Sequence, residues 1–263
     1  MNRKNALCSL ALMTLCALAA IAGPLEAASG TAVRMYTGDG TLVWCWTEPP
    51  IVKHPNGTLK TCDVETRANL PLGKNPTLEM WWFPPGKRLD VYADGAVEAG
   101  FLEAYSTFRI KPSNSTNPGP FTLKFVQDTQ LVFTPKGYAY WGTIANNILD
   151  LYTARKERIN GMAANQVTRL SDQGTGYAER GGLYKDTDLS PATVGANGMI
   201  PCLGYDSASG IYQRMRVYTT GDLEFCTLRA DRTLNFADGS RKTCRGGFQV
   251  TFNTGGRVTA CTL

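Results

Sequence analysis

The side chains in this sequence that could do chemistry are few. Cys45, Cys62, Cys202, Cys226, Cys244 and Cys261 lie outside the N-terminal apolar run, His54 is the one histidine, and four tryptophans come in two close pairs. Hydrolysis by a Ser-His-Asp or Cys-His constellation would have to use His54. That residue sits in Lys53-His54-Pro55-Asn56-Gly57, between two cysteines, where a solvent-facing turn residue is the expectation. Zinc held by histidines is excluded by the same count, and no C-x-x-C pair replaces them. Asp186 and Asp188 lack the further acidic positions of a calcium loop. The Gly-containing run Pro135–Thr143 lacks the spacing of either nucleotide motif. No catalytic residue, metal or cofactor is therefore assigned. A carboxylate pair working as acid and base is defined only by separation in space, and Glu48, Glu79 and Glu98 are indistinguishable from surface charges.

The tryptophans give the stronger binding signal. Trp44 and Trp46 share one side of a strand by its two-residue period, whereas adjacent Trp81 and Trp82 must point to opposite sides. With Pro49-Pro50 and Pro84-Pro85 beside them, they form a candidate platform for sugar rings or a proline-rich or aromatic partner. Core packing or cover of a sheet edge is the competing use of such rings.

Six cysteines in an exported chain read first as disulfides. Export is expected because residues 1–28 combine Arg3 and Lys4, an apolar run and the small residues Ala27 and Ala28, the layout of a signal peptide cleaved after Ala28. The alternative is an uncleaved anchor. Cleavage would remove Arg3, Lys4, Glu26 and two further cysteines and would take the formal net charge from +5 to +5 − 2 + 1 = +4. The remaining positive residues are scattered among acids, without the basic stripe of a nucleic-acid surface. The densest cluster is Arg155, Lys156 and Arg158.

The elements that position these residues are hairpins. Met35–Cys62 and Val217–Cys244 repeat one pattern: a strand ending in Tyr-Thr, a Gly/Asp turn, a Cys, then a Gly turn into Lys-Thr-Cys. Apolar alternation and Gly with Asp or Asn at the turns specify β-hairpins. An isolated hairpin is marginal, so such units must stack or pair. Two weaker relatives follow the same form, from Leu89 to Leu102 and from Gln249 to Leu263. Equivalence of the copies predicts Cys45–Cys62 and Cys226–Cys244, and elimination then leaves Cys202–Cys261.

The residues Tyr218, Gly221, Leu223, Cys226 and Leu228, and again Phe252, Gly255 or Gly256, Val258, Cys261 and Leu263, resemble the MORN-like Gly-centred hairpin repeats of bacterial exported proteins. The Tyr-Glu-Gly start of the MORN repeat proper is missing. The resemblance implies a scaffold of repeated hairpins and contributes no catalytic residue.

Between the copies the pattern changes. Phe121–Val126 and Gln130–Phe133 read as strands. Ile144, Ile148 and Leu151 then recur at helical spacing, with Thr143 as a cap and Gly161 as a stop. The expected fold is mainly β, built on disulfide-stapled β-hairpin repeats, with one α-helix near residues 143–159. The expected organisation is an N-terminal β region over 29–165, a Gly-rich loop or linker over 166–201 and a C-terminal hairpin region over 202–263. The expected function is a binding or structural module of the periplasm or extracellular space, with an envelope protein or glycan as partner. A secreted carboxylate-dependent glycan or peptidoglycan hydrolase is the alternative. A cleft holding two carboxylates with shifted pKa values would favour that enzyme.

Overall fold

The computed structural model describes residues 29–73, 80–192 and 197–263, so the expected signal peptide lies outside the described residues. The strands come in consecutive antiparallel pairs. In chain order these are β1 (Ser29–Tyr36) with β2 (Leu42–Glu48), β3 (Val52–Lys53) with β4 (Leu59–Asp63), β5 (Ala68–Pro71) with β6 (Met80–Phe83), and β7 (Arg88–Val91) with β8 (Val97–Phe101). Next are β9 (Ser106–Arg109) with β10 (Thr122–Phe125), β11 (Gln130–Phe133) with β12 (Ala139–Thr143), β13 (Leu151–Tyr152) with β14 (Arg158–Ile159), and β15 (Val167–Leu170) with β16 (Ala178–Gly182). The last are β17 (Thr187–Leu189) with β18 (Ile200–Cys202), β19 (Tyr205–Asp206) with β20 (Ile211–Tyr212), β21 (Arg214–Val217) with β22 (Leu223–Thr227), β23 (Arg232–Asn235) with β24 (Arg241–Cys244), and β25 (Gln249–Phe252) with β26 (Val258–Cys261).

These hairpins alternate between two rows. Those starting at β3, β7, β11, β15, β21 and β25 hydrogen-bond side by side into one 12-stranded sheet. Those starting at β1, β5, β9, β13, β17 and β23 stay two-stranded and form a second row. A repeat is thus one second-row hairpin followed by one sheet hairpin, and the described residues hold six. Within the sheet, the first strands of the hairpins alternate in burial, as in β21, where Met215 and Val217 are buried and Arg214 and Arg216 exposed. The core lies between the rows, where Leu89, Leu131, Met215 and Val250 of the sheet join Leu70, Phe83, Phe125, Leu151 and Leu234 of the second row.

Each sheet hairpin carries a bulge next to its turn, so that Lys60, Glu98, Tyr140, Glu179, Glu224 and Thr259 each stand as an extra residue against the partner strand. The turns themselves are near copies. The amides of Gly57, Gly95, Gly137, Gly221 and Gly256 each donate to the carbonyl three residues earlier. The rows also meet at their tips: Gly38 lies against Ala93 and Asp94, and Gly221 against Ala154 and Arg155, where a Cβ would strike backbone.

The expected helix is absent, because residues 143–159 are described and form β-structure. Ile144 bridges Phe125, Ile148 bridges Met162 and Leu151 pairs with Ile159. Their spacing matched a helix because inward positions of successive short strands happen to fall three and four residues apart. Lys156, expected near the end of the helix, instead turns the β13–β14 hairpin at a φ of 63°. The expected linker over 166–201 is also corrected: β15 to β18 occupy its described part, and the 12-stranded sheet runs through the expected boundaries between regions at 165 and 202. Glycine density there comes from turns and close packing within repeats.

All six cysteines are bonded, but two of the three expected pairings are not those formed. Cys45 is joined to Cys62, Cys202 to Cys226 and Cys244 to Cys261. Every bond links the outgoing strand of a second-row hairpin to the outgoing strand of the sheet hairpin that follows. Aligning Met35–Cys62 with Val217–Cys244 slips by half a repeat, because hairpins of both rows share turn chemistry. In the correct phase the first and last repeats match without a gap, each partner lying 199 residues further on: Cys244 against Cys45 and Cys261 against Cys62.

A candidate binding groove beside the inserted hairpin

The expected tryptophan platform falls on the second row. Val43 and Cys45 point into the core, which turns Trp44 and Trp46 together to the other side, where both are half-buried. The Arg34 guanidinium lies 4.9 Å from the centre of the Trp44 ring. Trp81 is half-buried and meets Phe108 edge to face at 4.8 Å. Trp82 points the other way, 44% exposed, with the Arg67 guanidinium 4.6 Å from its ring centre. Arg67 pairs in turn with Glu103. Arginine thus already stands over one face of both Trp44 and Trp82.

Alternation of the rows is broken once among the described residues. Between β18 and β21 the chain inserts β19–β20, which joins neither row. The insertion accounts for the longer span of its disulfide, 24 residues for Cys202–Cys226 against 17 for each of the other two. Its turn is fixed locally. The Asp206 carboxylate accepts from the Ala208 amide at 3.0 Å and the Ser209 hydroxyl at 2.6 Å, and the Gly210 amide donates to the Asp206 carbonyl. The Ser209 hydrogen bond, first among the causes, lowers the Asp206 pKa.

Tyr205 and Tyr212 face each other across this hairpin with ring centres 5.1 Å apart, and Tyr212 reaches Tyr184 at 6.1 Å. Tyr184 and Tyr205 wall an open groove of about 530 Å³ whose other lining is Leu149, Arg158, Asn160, Lys185 and Asp186, and Tyr212 packs on both rings from outside that lining. Tyr205 is 47% exposed. The polar side is held in place. Asp186 accepts the Gly204 amide at 2.9 Å and lies 3.7 Å from Arg229, and Asn160 donates to the Asp186 carbonyl at 2.7 Å. Arg158 pairs with Asp150 at 2.7 Å. An aromatic wall over convergent donors and acceptors suits a polyhydroxylated ligand. A second groove, lined by residues of 118–124 and 146–150, shares Leu149 with the first.

Sequence reading missed this site because Tyr205-Asp206-Ser207-Ala208-Ser209-Gly210-Ile211-Tyr212 sits inside a region read as part of the hairpin series. The local signal was present: two tyrosines flanking an Asp-to-Gly turn. What marks the hairpin as an insertion is its lack of a place in either row, and only topology shows that.

Carboxyls are arranged differently from an acid–base pair. Burial pushes Asp63 above its ordinary value, with Arg88 opposing, and burial pushes Glu179 up, with Arg169 opposing. Asp63 is on β4 and Glu179 on β16, separated by six strand steps of the sheet, on the order of 30 Å. Glu98 is a bulge residue of the sheet, Glu48 is exposed at the end of β2, and Glu79 lies outside the described residues. Among the described residues no three His, Cys, Asp or Glu side chains converge to hold a metal ion, and no helix is long and apolar enough to cross a membrane.

No family model, curated protein or solved structure matches the chain.

Proposed function

We propose that this protein is an exported binding module that holds a glycan in the groove beside β19–β20, on a disulfide-stapled scaffold of the periplasm or extracellular space. The observation that carries the reading is the insertion itself. One hairpin departs from an array that otherwise alternates among the described residues, and it brings Tyr205, backed by Tyr212, to a groove with fixed polar groups. Repeat scaffolds place their binding residues in such insertions, since the repeats already supply stability. Three disulfides fit an oxidising compartment. The likeness to MORN-like arrays enters as a likeness of scaffold. The hydrolase reading loses ground because the two carboxyls with raised pKa values are far apart and each lies beside an arginine.

The test is co-sedimentation of the full chain with chitin and with peptidoglycan sacculi, alongside measurement of released reducing ends. Wild type is expected to sediment with at least one of them and to release none. Tyr205→Ala with Tyr184→Ala is expected to weaken retention about tenfold, the size of losing stacked rings. Steady release of reducing ends would put the hydrolase in its place, and equal retention of wild type and variant would remove the groove.

A further inference from the structure

The outward side of the 12-stranded sheet can be followed residue by residue through its register. Trp141 pairs with Arg169, Arg169 with Arg180, Arg180 with Arg216, and Arg216 with Phe225. Residues directly opposite each other share a face. Their chain neighbours Thr168, Leu170, Met215, Val217 and Cys226 are buried, so this row points away from the core. Four strand steps make it about 19 Å long. All three arginines are exposed. Arg169 and Arg216 each pair with the bulge glutamate of their own hairpin, Glu179 at 3.1 Å and Glu224 at 2.9 Å, and their side chains remain 46% and 50% exposed. Arg180, between them, has no ion-pair partner among the described residues.

Like charges placed directly opposite destabilise an antiparallel pair. Here two such pairs share Arg180, so folding alone does not favour the arrangement. We propose that this row is a binding site for a linear acidic polysaccharide, with sugar carboxylates on Arg169, Arg180 and Arg216 and sugar rings against Trp141 and Phe225. The site is separate from the groove beside β19–β20 and does not rest on it. The guanidinium fork matches a carboxylate with two parallel hydrogen bonds. Aromatic rings at both ends of the row offer flat apolar faces to pyranose rings. Glu179 and Glu224 are largely buried, with side chains 12% and 19% exposed, and hold Arg169 and Arg216 in place by their ion pairs. With two of its three arginines already paired, the row has too little net charge for the counterion-driven binding of a polynucleotide, and recognition falls to the guanidinium forks and the two aromatic faces, which suit carboxylated pyranose rings.

The experiment measures binding of the full chain to polygalacturonate oligomers, to the same oligomers fully methyl-esterified, and to single-stranded DNA of equal charge, at about 50 and 200 mM salt. Polygalacturonate is expected to bind, more weakly at the higher salt, while the esterified polymer does not bind and DNA binds at least about tenfold more weakly. Arg180→Gln is expected to lower polygalacturonate affinity about tenfold, as for one charge-assisted contact. Arg180→Lys, which keeps the charge and loses the fork, falls between. Trp141→Ala weakens binding. Thermal unfolding of Arg180→Gln at or above the wild-type midpoint separates loss of the site from loss of the fold. Undiminished binding by Arg180→Gln, equal binding of the esterified polymer or of DNA, or no binding of polygalacturonate by wild type would each overturn the proposal.

Discussion

His54 shows how one position acquires meaning only from its neighbours in the array. It begins the turn of the first sheet hairpin, as Tyr92 and Tyr218 begin theirs. The Tyr92 hydroxyl donates to the Phe133 carbonyl at 2.7 Å and the Tyr218 hydroxyl to the Phe252 carbonyl at 2.8 Å, each reaching the next hairpin of the sheet. Nε2 of His54 makes the same reach, to the Val91 carbonyl at 3.0 Å. Burial, the largest cause, moves the Tyr92 hydroxyl well above its ordinary value, which keeps it a donor. The expected solvent-facing histidine is therefore half-buried and ties two hairpins together. His54→Ala should lower stability by about 1 kcal/mol, one intramolecular hydrogen bond, while His54→Tyr should recover most of it. Urea unfolding midpoints check this, and a tyrosine variant as weak as the alanine variant would refute the equivalence. At this scale the tryptophans were legible, because the alternation that separates Trp81 from Trp82 is a local property of extended backbone. The bond made by His54 was not, since its acceptor lies 37 residues away.

Among elements, the bridge between a second-row hairpin and its sheet hairpin is built in two ways. Where cysteine is present a disulfide spans the rows, with Cα atoms 5.7 Å apart in all three cases. Where it is missing, a large residue of the second row rests on a glycine of the sheet. A Cβ at Gly100 would lie 2.6 Å from the Phe83 ring, and one at Gly142 would lie 3.0 Å from the Phe125 ring. Phe125 bridges Ile144 just as Cys45 bridges Val64 and Cys202 bridges Leu228, which fixes the equivalence. Phe83→Cys with Gly100→Cys is accordingly predicted to form a fourth disulfide in air-oxidised protein. Losing the ring costs about 3–5 kcal/mol, so the readout is the bond itself, by intact mass and thiol titration. Two free thiols after oxidation would count against the equivalence. The Phe–Gly exchange was invisible in sequence because aromatic-plus-glycine is a common composition in any β-protein. Likewise the apolar stripe from Ile144 to Leu151 could not be separated from a helix by spacing alone.

Across the whole molecule, stability should follow the logic of a linear array, in which each repeat is held by its neighbours and the ends open first. The disulfides are placed accordingly, in the first repeat and the last two, while residues 68–182 have none. Reduction with dithiothreitol is expected to raise hydrogen exchange in 29–63 and 187–261 well before the strands between Arg88 and Gly182 lose protection. Uniform loss of protection along the chain would show a single cooperative unit instead. By itself the sequence determined that this is a β-hairpin protein bound by disulfides, because hairpin turns, strand alternation and cysteine count are local or compositional facts. Which hairpins belong to which row, which cysteines meet, that residues 143–189 continue the array and that Arg169, Arg180 and Arg216 stand side by side were decided by the tertiary structure alone. Both rows use the same turn chemistry, so nothing local tells them apart, and only burial of one face of each hairpin against the opposite row sets their phase.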